Sequence, residues 1–259
     1  MPQSSPSVRS PLTNLRGLTW RRVRNATLKW SLSACAREVM QSRLTYLSPQ
    51  KLRVIERAVK RIERQHIPGD LIECGVALGG SAIVLSSMLA SGRHFHGYDV
   101  FEMIPPPGPQ DEADAHERYG VIRSGASSGI GGQEYYGYME NLRQVVVDNF
   151  SKHGLVVDGR RICVHQGLFE DTLHFDTGSR IALAHIDCDW YEPVKLCLER
   201  IYRHLATGGC VILDDYNDYR GCRKAADEFL ANKPDLEMTS SAPNAVIRRM
   251  HGGPDGDRS

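Results

Sequence analysis

The sequence lacks most of the features that assign a protein to a class at first sight. It contains no apolar run close to the roughly 20 residues of a transmembrane helix, so stable membrane insertion is not expected. The formal net charge is only +1, and bulk charge therefore predicts no nucleic-acid partner. The N-terminus carries no hydrophobic signal core, and we expect a cytoplasmic protein.

Close cysteine pairs are absent as well. The seven cysteines are scattered without a CxxC motif, and Cys74, Cys163 and Cys210 lie in apolar, strand-like surroundings. Cysteines of this kind are typical of small buried side chains in a reducing cytosol.

Strand-like and helix-like segments alternate along the 259 residues, a length that suits one α/β domain with additions or two small domains. From Pro49 to Gln65 the apolar residues recur at helical spacing, which predicts an amphipathic helix with basic residues on its outer face. The alternation predicts an α/β fold with a doubly wound, mostly parallel sheet. Strands are predicted at 71–74, 94–99, 161–165 and 245–248 and before each of two acidic clusters, and further helices at 138–152 and 222–231.

Each of the two acidic clusters follows a short apolar run, and a helix-like stretch separates them. Parallel strands joined by such a crossover end side by side. Asp187, Asp214 and Asp215 should therefore meet at one edge of the sheet, where they repel one another unless a cation lies among them. A hard divalent cation such as Mg²⁺ takes oxygen ligands and keeps positions open for substrate oxygens. The clusters therefore predict a metal-dependent enzyme.

A glycine-rich turn follows the first predicted strand. Its pattern, Glu73-x-Gly75-x-x-x-Gly79-Gly80, is neither a dinucleotide G-x-G-x-x-G motif nor a P-loop. Such a turn still lets a ligand approach the backbone and presents helix N–H groups. Asp99 ends the second strand, where a carboxylate can hold ribose hydroxyls. The alternative for Asp99 is a cap or turn residue.

Two segments interrupt the alternation. Residues 103–137 contain three consecutive prolines, then acidic and Gly/Ser-rich stretches, and are too long for an ordinary connection, so they predict a substrate-covering lid. Residues 1–30 contain six basic residues and no acidic one, which predicts a mobile basic arm or, alternatively, a helix that covers a neighbouring subunit. The lid residues placed to touch an acceptor are His116, Tyr119, Tyr135 and Tyr136.

Five motifs occur in order from about Leu47 to Phe229, and together they resemble the macrocin O-methyltransferase family of S-adenosylmethionine-dependent sugar methyltransferases. The resemblance implies a Rossmann-like class I methyltransferase domain over residues 46–250, with N-terminal helices and an inserted lid. Residues 1–45 would then form an arm or helix and 251–259 a tail, and the N-terminal helices would assemble a homo-oligomer. The motifs are Glu73-x-Gly75-x-x-x-Gly79-Gly80, Tyr98-Asp99-x-Phe101-Glu102, Gly167-x-Phe169-x-Asp171-Thr172, His185-Ile186-Asp187-x-Asp189-Trp190-Tyr191-Glu192 and Asp214-Asp215-Tyr216.

The resemblance also implies two cofactors, S-adenosylmethionine and Mg²⁺, and a role for each matching residue. The metal ligands would be Asp187, Asp214 and Asp215. Asp189 would be the general base. Alternatively, Asp189 would only support the metal ligands or cap a helix. His185 would be a second candidate base or a partner of the metal ligands, or else a hydrogen-bonded core histidine. The cofactor-binding residues would be Glu73, Gly75 and Gly79 beside the methionine portion, Asp99 at the ribose, and Ser81 and Asp171.

The implied acceptor is a sugar hydroxyl, preferably of a vicinal diol, in a glycosylated natural product or glycan precursor. The chain differs from the family pattern at Val100, where a small residue such as Ser is usual, and in the Pro-rich and Gly/Ser-rich parts of the lid. These differences concern the acceptor pocket more than the chemistry. Two alternatives stay open: a catechol-like phenol as acceptor, and a catalytically degenerate nucleotide-binding accessory protein. Trp190 and Tyr191 could stack on a ligand or pack beneath a helix.

Overall fold

The computed structural model describes residues 31–250, and its centre is a seven-stranded sheet. The strand order is β3-β2-β1-β4-β5-β7-β6; the first five strands are parallel, and β7 and β6 are antiparallel to their neighbours. This arrangement confirms the predicted α/β fold with its mostly parallel sheet. The strands are β1 (Asp70–Cys74), β2 (Phe95–Asp99), β3 (Ile162–Gln166), β4 (Ile181–Ile186), β5 (Leu205–Leu213), β6 (Leu236–Ser240) and β7 (Ala245–Arg249).

Eight α-helices belong to the part of the chain that the structure describes. The helix predicted over 49–65 is present as α2, whose buried residues include the four apolar ones at helical spacing, Leu52, Ile55, Val59 and Ile62. Ser48 caps its first turn by accepting from the N–H of Lys51, and Pro49 occupies the first helical position. The helices are α1 (Ala34–Gln41), α2 (Pro49–Arg64), α3 (Gly80–Ser87), α4 (Ala113–Arg123), α5 (Leu142–Lys152), α6 (Phe169–Thr172), α7 (Tyr191–Tyr202) and α8 (Arg220–Leu230).

Apolar clusters cover both faces of the sheet. On one face, helices α1, α2, α3 and α5 pack against side chains such as Leu71 and Leu183. On the other, α7 and α8 pack against the alternate side chains, such as Ile72 and Ala184. All six residues of β4 are buried, as expected for a central parallel strand covered on both sides.

One strand was not predicted. Strand β6 pairs with β7 at the sheet edge, and its residues alternate between half-buried and exposed positions. Because Glu237 and Thr239 interrupt its apolar residues, it lacks the apolar run that marked the central strands.

The segment predicted as a lid has more internal structure than its composition suggested. Residues 103–137 contain α4 and the 3₁₀ turn Ile130–Gly132, and the 3₁₀ turn Tyr136–Tyr138 begins within them. Asp111 joins this segment to the sheet domain, because its carboxylate accepts from the N–H of Tyr191 at the start of α7 at 2.8 Å.

The structure tests two further expectations, on cysteines and on membrane helices, and leaves a third untested. All seven cysteines are free thiols, and six of them are buried, as predicted. Within residues 31–250, no helix has both the length and the apolar composition needed to cross a membrane. The predicted basic arm at 1–30 and the tail at 251–259 lie outside the described residues.

Candidate active site

Three carboxylates meet where β4 and β5 end. Asp187 directly follows β4, and Asp214 and Asp215 directly follow β5, the parallel neighbour of β4. One oxygen of each carboxylate lies within 4.8 Å of the others. The crossover through α7 therefore places the three side chains together, as the spacing of the two clusters predicted.

The charges in this cluster are incompletely neutralised. Burial and the neighbouring carboxylates raise the pKa values of Asp187 and Asp215 well above the usual aspartate value. For Asp214, burial acts in the same direction, but His185 and Lys51 outweigh it and hold the pKa below the usual value. Two of the three carboxylates thus lack a sufficient counter-charge from the protein.

Two side chains fix the orientation of Asp214. The Lys51 Nζ lies 2.7 Å from the Asp214 Oδ2 and 2.7 Å from the Asp218 Oδ2, and it also donates to the Asp214 backbone oxygen at 3.1 Å. On the opposite oxygen, the buried Asn244 amide donates to Asp214 Oδ1 at 2.7 Å. Because Asn244 directly precedes β7, both α2 and the antiparallel part of the sheet contribute to the site.

His185 and Glu73 form a buried pair beneath the cluster. Both side chains are fully buried, and His185 Nδ1 lies 2.7 Å from Glu73 Oε1. The His185 Nε2 lies 3.9 Å from Asp214 Oδ1. Burial acts to lower the pKa of His185, but Asp214 and Glu73 outweigh it and raise the pKa to about 10. His185 therefore lies fully buried behind Asp214, where Asp214 and Glu73 favour its protonated form.

Asp189 lies two residues beyond Asp187 in a left-handed backbone conformation, with φ of 58°. Its N–H donates to Asp215 Oδ2 at 3.2 Å. Burial raises the pKa of its carboxyl to about 6, against the lowering effects of a side-chain hydrogen bond with Asp215 and of the charge of Arg118. A carboxylate with such a pKa is available to accept a proton near neutral pH.

The glycine turn closes against the acidic cluster. Gly75 has φ of +92°, and a Cβ built there would lie 1.8 Å from the backbone oxygen of Asp187. Asp99 holds the same turn: its Oδ2 accepts from the N–H groups of Val76 and Ala77 at 2.7 and 2.9 Å, and its Oδ1 accepts from Phe101 at 2.7 Å. The close approach requires glycine at position 75.

Two cavities adjoin at this point, with volumes of about 290 and 300 Å³. Gly75, Asp99, Tyr136, Asp187 and Asp189 line both of them. The first cavity is otherwise largely apolar, and its lining includes Val100, Ile104, Pro105, Pro106, Leu168, Phe169 and Trp190. The second is polar and aromatic, and its lining includes Tyr46, Lys51, Arg118, Tyr135, Asp214, Asp215 and Tyr219.

Trp190 connects the lid segment to these cavities. Its indole N–H donates to the Pro105 oxygen at 2.9 Å, and its ring meets that of Tyr219 edge to face at 5.2 Å. Arg118, on α4, lies over the Tyr135 ring at 5.6 Å. Trp190 therefore packs against other residues and also lines a cavity, whereas Tyr191 is buried at the start of α7.

Comparison with known proteins decides the family. The model of the macrocin-O-methyltransferase (TylF) family matches residues 19–239, most of the chain. The chain belongs to this family. It is therefore an O-methyltransferase, as its sequence motifs predicted.

Individual members of the macrocin O-methyltransferase family are moderately similar in sequence. A relative from Streptomyces olivaceus, 8-demethyl-8-(2,3-dimethoxy-alpha-L-rhamnosyl)-tetracenomycin-C 4'-O-methyltransferase, is 31% identical over 71% of this chain and 67% of its own. Demethyldecarbamoylnovobiocin O-methyltransferase from Streptomyces niveus is 28% identical over 72% of this chain and 68% of its own. The solved structure of the O-methyltransferase NovP aligns with a TM-score of 0.66 at 26% identity, over 80% of this chain and 82% of that one.

Several residues expected at the cofactor lie away from the cavities. Glu73 is fully buried against His185, and Ser81 is buried in the first turn of α3. Gly79 caps α3, facing Val146 and Phe150. Asp171 is exposed on α6, where its neighbour Glu170 lines the first cavity. In the segment predicted as a lid, Tyr135 and Tyr136 line a cavity, whereas His116 and Tyr119 are not among the lining residues of either cavity.

Other residues reach the site without having been singled out from the sequence. Lys51 was expected on the outer face of α2, but its side chain is only 16% exposed and turns onto Asp214. Arg118, Tyr219 and Asn244 carried no spacing signal, because their positions depend on how the lid, α8 and β7 pack.

Proposed function

We propose that this enzyme transfers the methyl group of S-adenosylmethionine to a sugar hydroxyl of a glycosylated natural product or glycan precursor, in a Mg²⁺-dependent reaction. The observation that carries the proposal is the position of Asp187 and Asp189, which line both adjoining cavities. A methyl donor in the first cavity and an acceptor in the second would meet beside these two carboxylates.

The first cavity fits S-adenosylmethionine, which would supply the methyl group. The glycine turn brings the backbone close to the cavity, since Gly75 leaves no room for a Cβ beside Asp187. Val100, Phe169 and Trp190 offer an apolar slot of the kind that takes a purine ring. Asp99 borders the same cavity, and we assign to it both the ordering of the glycine turn and contact with the ribose.

The carboxylate cluster fits Mg²⁺. Asp187, Asp214 and Asp215 present oxygen atoms within 4.8 Å of one another, and burial leaves two of them with raised pKa values that a cation would relieve. When bound there, Mg²⁺ would supply Lewis-acid activation that lowers the pKa of an acceptor hydroxyl.

The chain's own residues would then position the acceptor and move its proton. Lys51 and Asn244 hold the Asp214 carboxylate from both oxygens. The tyrosine side chains of the second cavity offer flat surfaces for a sugar ring. Asp189, between the two cavities, would take the hydroxyl proton on a carboxylate oxygen while the hydroxyl oxygen bonds to the methyl carbon. The carbon–sulfur bond would break in the same step, leaving S-adenosylhomocysteine. His185 would act through Asp214 as a buried counter-charge.

The acceptor class is supported by relatives rather than by cavity shape. The name of the Streptomyces olivaceus relative specifies methylation of a rhamnosyl-tetracenomycin, and that of a relative from Micromonospora griseorubida, 27% identical, specifies mycinamicin III 3''-O-methylation. We extend this glycoside chemistry to the present chain. The homo-oligomer, the cytoplasmic location, the domain boundaries and the role of residues 103–137 as a lid remain predictions.

The proposal is tested by calorimetric titration of S-adenosylmethionine and of a diol-bearing glycoside, each with and without Mg²⁺. We expect the cofactor to bind at micromolar concentration and the glycoside to bind only when Mg²⁺ is present. A panel of glycosides and catechols in a methyl-transfer assay then identifies the acceptor class. Absence of cofactor binding under every condition would refute the proposal, and turnover of catechols alone would replace the sugar with a phenol.

A further inference from the structure

A second cluster of metal-ligating side chains lies away from the acidic site, on the edge strands β2 and β3. His96 of β2 is the register partner of Cys163 of β3, and His165 follows two residues later on β3. Since side chains alternate along a strand, His96, Cys163 and His165 project from the same face of the sheet. One donor atom of each lies within 4.8 Å of the others.

From this geometry we propose that His96, Cys163 and His165 form a binding site for a borderline-soft divalent metal ion such as Zn²⁺. The ligand set of two imidazoles and one thiolate suits zinc and does not suit Mg²⁺, which prefers oxygen. This site would be chemically separate from the carboxylate cluster, and the inference does not rest on the proposed methyl transfer.

The spacing of the two imidazoles supports the proposal. The His96 Nδ1 and His165 Nε2 atoms are 3.2 Å apart, a hydrogen-bond contact that a metal ion between them would replace. Two nitrogens bound at about 2.0 Å to one tetrahedral zinc ion are separated by about 3.3 Å. The rings are stacked with centroids 5.4 Å apart, and the Tyr98 ring also stacks on His165 at 4.5 Å. This packing holds the imidazole nitrogens in place before any metal arrives.

The surroundings keep the ligands ready and leave access from solvent. Burial lowers the pKa values of both histidines, so that the imidazoles are neutral at neutral pH, as metal binding requires. Cys163 is 7% exposed, and its thiol makes only a weak bond to the Arg160 oxygen at 3.6 Å. His96 and His165 are partly exposed, so a water molecule can complete four ligands.

Metal binding would also carry a proton signature. Burial raises the pKa of the Cys163 thiol, so the thiol is protonated in the free protein. Coordination deprotonates it, and one proton should be released for each metal ion bound. A metal ion at this place would join edge strand β3 to β2 and stabilise the folded protein by mass action.

Cobalt titration of the untagged, chelator-treated protein tests the site, because tetrahedral Co²⁺ absorbs strongly in the visible and a thiolate ligand adds a near-ultraviolet charge-transfer band. We expect both bands to saturate at one equivalent of Co²⁺ and to disappear when Zn²⁺ displaces the Co²⁺. Calorimetry should show the release of one proton per bound ion, and the metal should raise the thermal midpoint of unfolding. Cys163→Ser should lose the charge-transfer band, and His165→Gln should lose tight binding.

Matched controls separate this site from other ligands. Cys35→Ser and His116→Gln each change one cysteine or histidine elsewhere in the chain and should leave the titration unchanged. Asp187→Asn should leave the charge-transfer band unchanged, since that residue belongs to the acidic cluster and not to the thiolate site. If the wild type shows no charge-transfer band, if Cys163→Ser retains it, or if Asp187→Asn removes it, the three residues are only a packed histidine pair beside a buried thiol.

Discussion

Lys51 and Asp214 lie 163 positions apart in the sequence, yet the Lys51 Nζ is 2.7 Å from the Asp214 Oδ2. Their side chains are 16% and 8% exposed, so water screens this ion pair only weakly. The contact joins α2, which precedes the sheet, to the end of β5. Helix α2 is thus part of the candidate active site as well as part of the core.

Replacing Lys51 should expose the repulsion in the acidic cluster. Lys51→Met keeps the apolar stem but removes the ammonium group from the buried Asp214, which we expect to lower the free energy of unfolding by about 3 kcal/mol in the absence of metal. Mg²⁺ should restore more stability in the variant than it adds to the wild type, because it replaces the lost charge. Urea unfolding with and without Mg²⁺ measures both effects. Lys60→Met, at an exposed position of the same helix, is the control, and equal losses in the two variants would contradict this role.

The metal-ligand assignment predicts opposite stability effects for two otherwise similar variants. Asp187→Asn removes a buried carboxyl group whose pKa is raised by burial and by neighbouring carboxylates. Its loss relieves that repulsion, so the metal-free variant should be no less stable than the wild type. Asp214→Asn breaks the pair with Lys51 and should be less stable. Both should lose Mg²⁺ binding and at least about 100-fold in turnover, with binding of S-adenosylhomocysteine nearly unchanged. Full activity in either variant would remove that residue from the metal site.

The order of strands and helices and the meeting of Asp187 with Asp214 could be derived from sequence because both depend on local patterns. Buried apolar runs mark the central strands, and a single crossover then fixes which strand ends are neighbours. Asp189 was singled out by the family resemblance, not by the strand pattern. The family motifs supplied the reaction type, which no periodicity could have shown.

The remaining features depend on packing between distant segments. Asn244 reaches Asp214 only because β7 returns antiparallel beside β5. Edge strand β6 has too few buried residues to produce a run. Glu73 was expected at the cofactor because it precedes the glycine turn, but alternation along β1 directs its side chain toward His185 on β4.

Gly75 should tolerate no side chain. In Gly75→Ala the new Cβ would meet the Asp187 oxygen at 1.8 Å, and the backbone at φ of +92° is itself unfavourable for alanine. We expect a loss of at least about 3 kcal/mol in unfolding free energy, together with loss of cofactor binding. Gly92→Ala is the matched control, since Gly92 also has a positive φ, +78°, but open space around it, and should lose only about 1 kcal/mol. Similar thermal midpoints for the two variants would contradict the close approach.

Asp99 should affect cofactor affinity as well as stability. Asp99→Ala leaves the N–H groups of Val76, Ala77 and Phe101 without their acceptor, so both the thermal midpoint and the affinity for S-adenosylhomocysteine should fall, the affinity by at least about tenfold. Asp158→Ala is a matched control, because the Asp158 carboxylate also accepts from three backbone N–H groups, in a distant turn. The control should lower stability alone. Unchanged affinity in Asp99→Ala would remove Asp99 from the cofactor site.

The pH dependence of the reaction should identify Asp189 as the base. Burial raises its pKa to about 6 in the metal-free protein, and a base must be deprotonated, so kcat/KM should fall as the pH is lowered through this range. The positive charge of bound Mg²⁺ would move this acidic limb of the kcat/KM profile to lower pH. Asp189→Asn should reduce kcat by about 100-fold or more and abolish the limb.

Arg118 provides an independent test of the same assignment. Its charge lowers the pKa of Asp189, so Arg118→Met should move the acidic limb of kcat/KM to higher pH. Arg123→Met removes an exposed charge at the end of the same helix and should leave the limb in place. The readout is a full pH profile for each variant, measured at saturating Mg²⁺. A limb that persists in Asp189→Asn, or that does not move in Arg118→Met, would assign the proton transfer to another group.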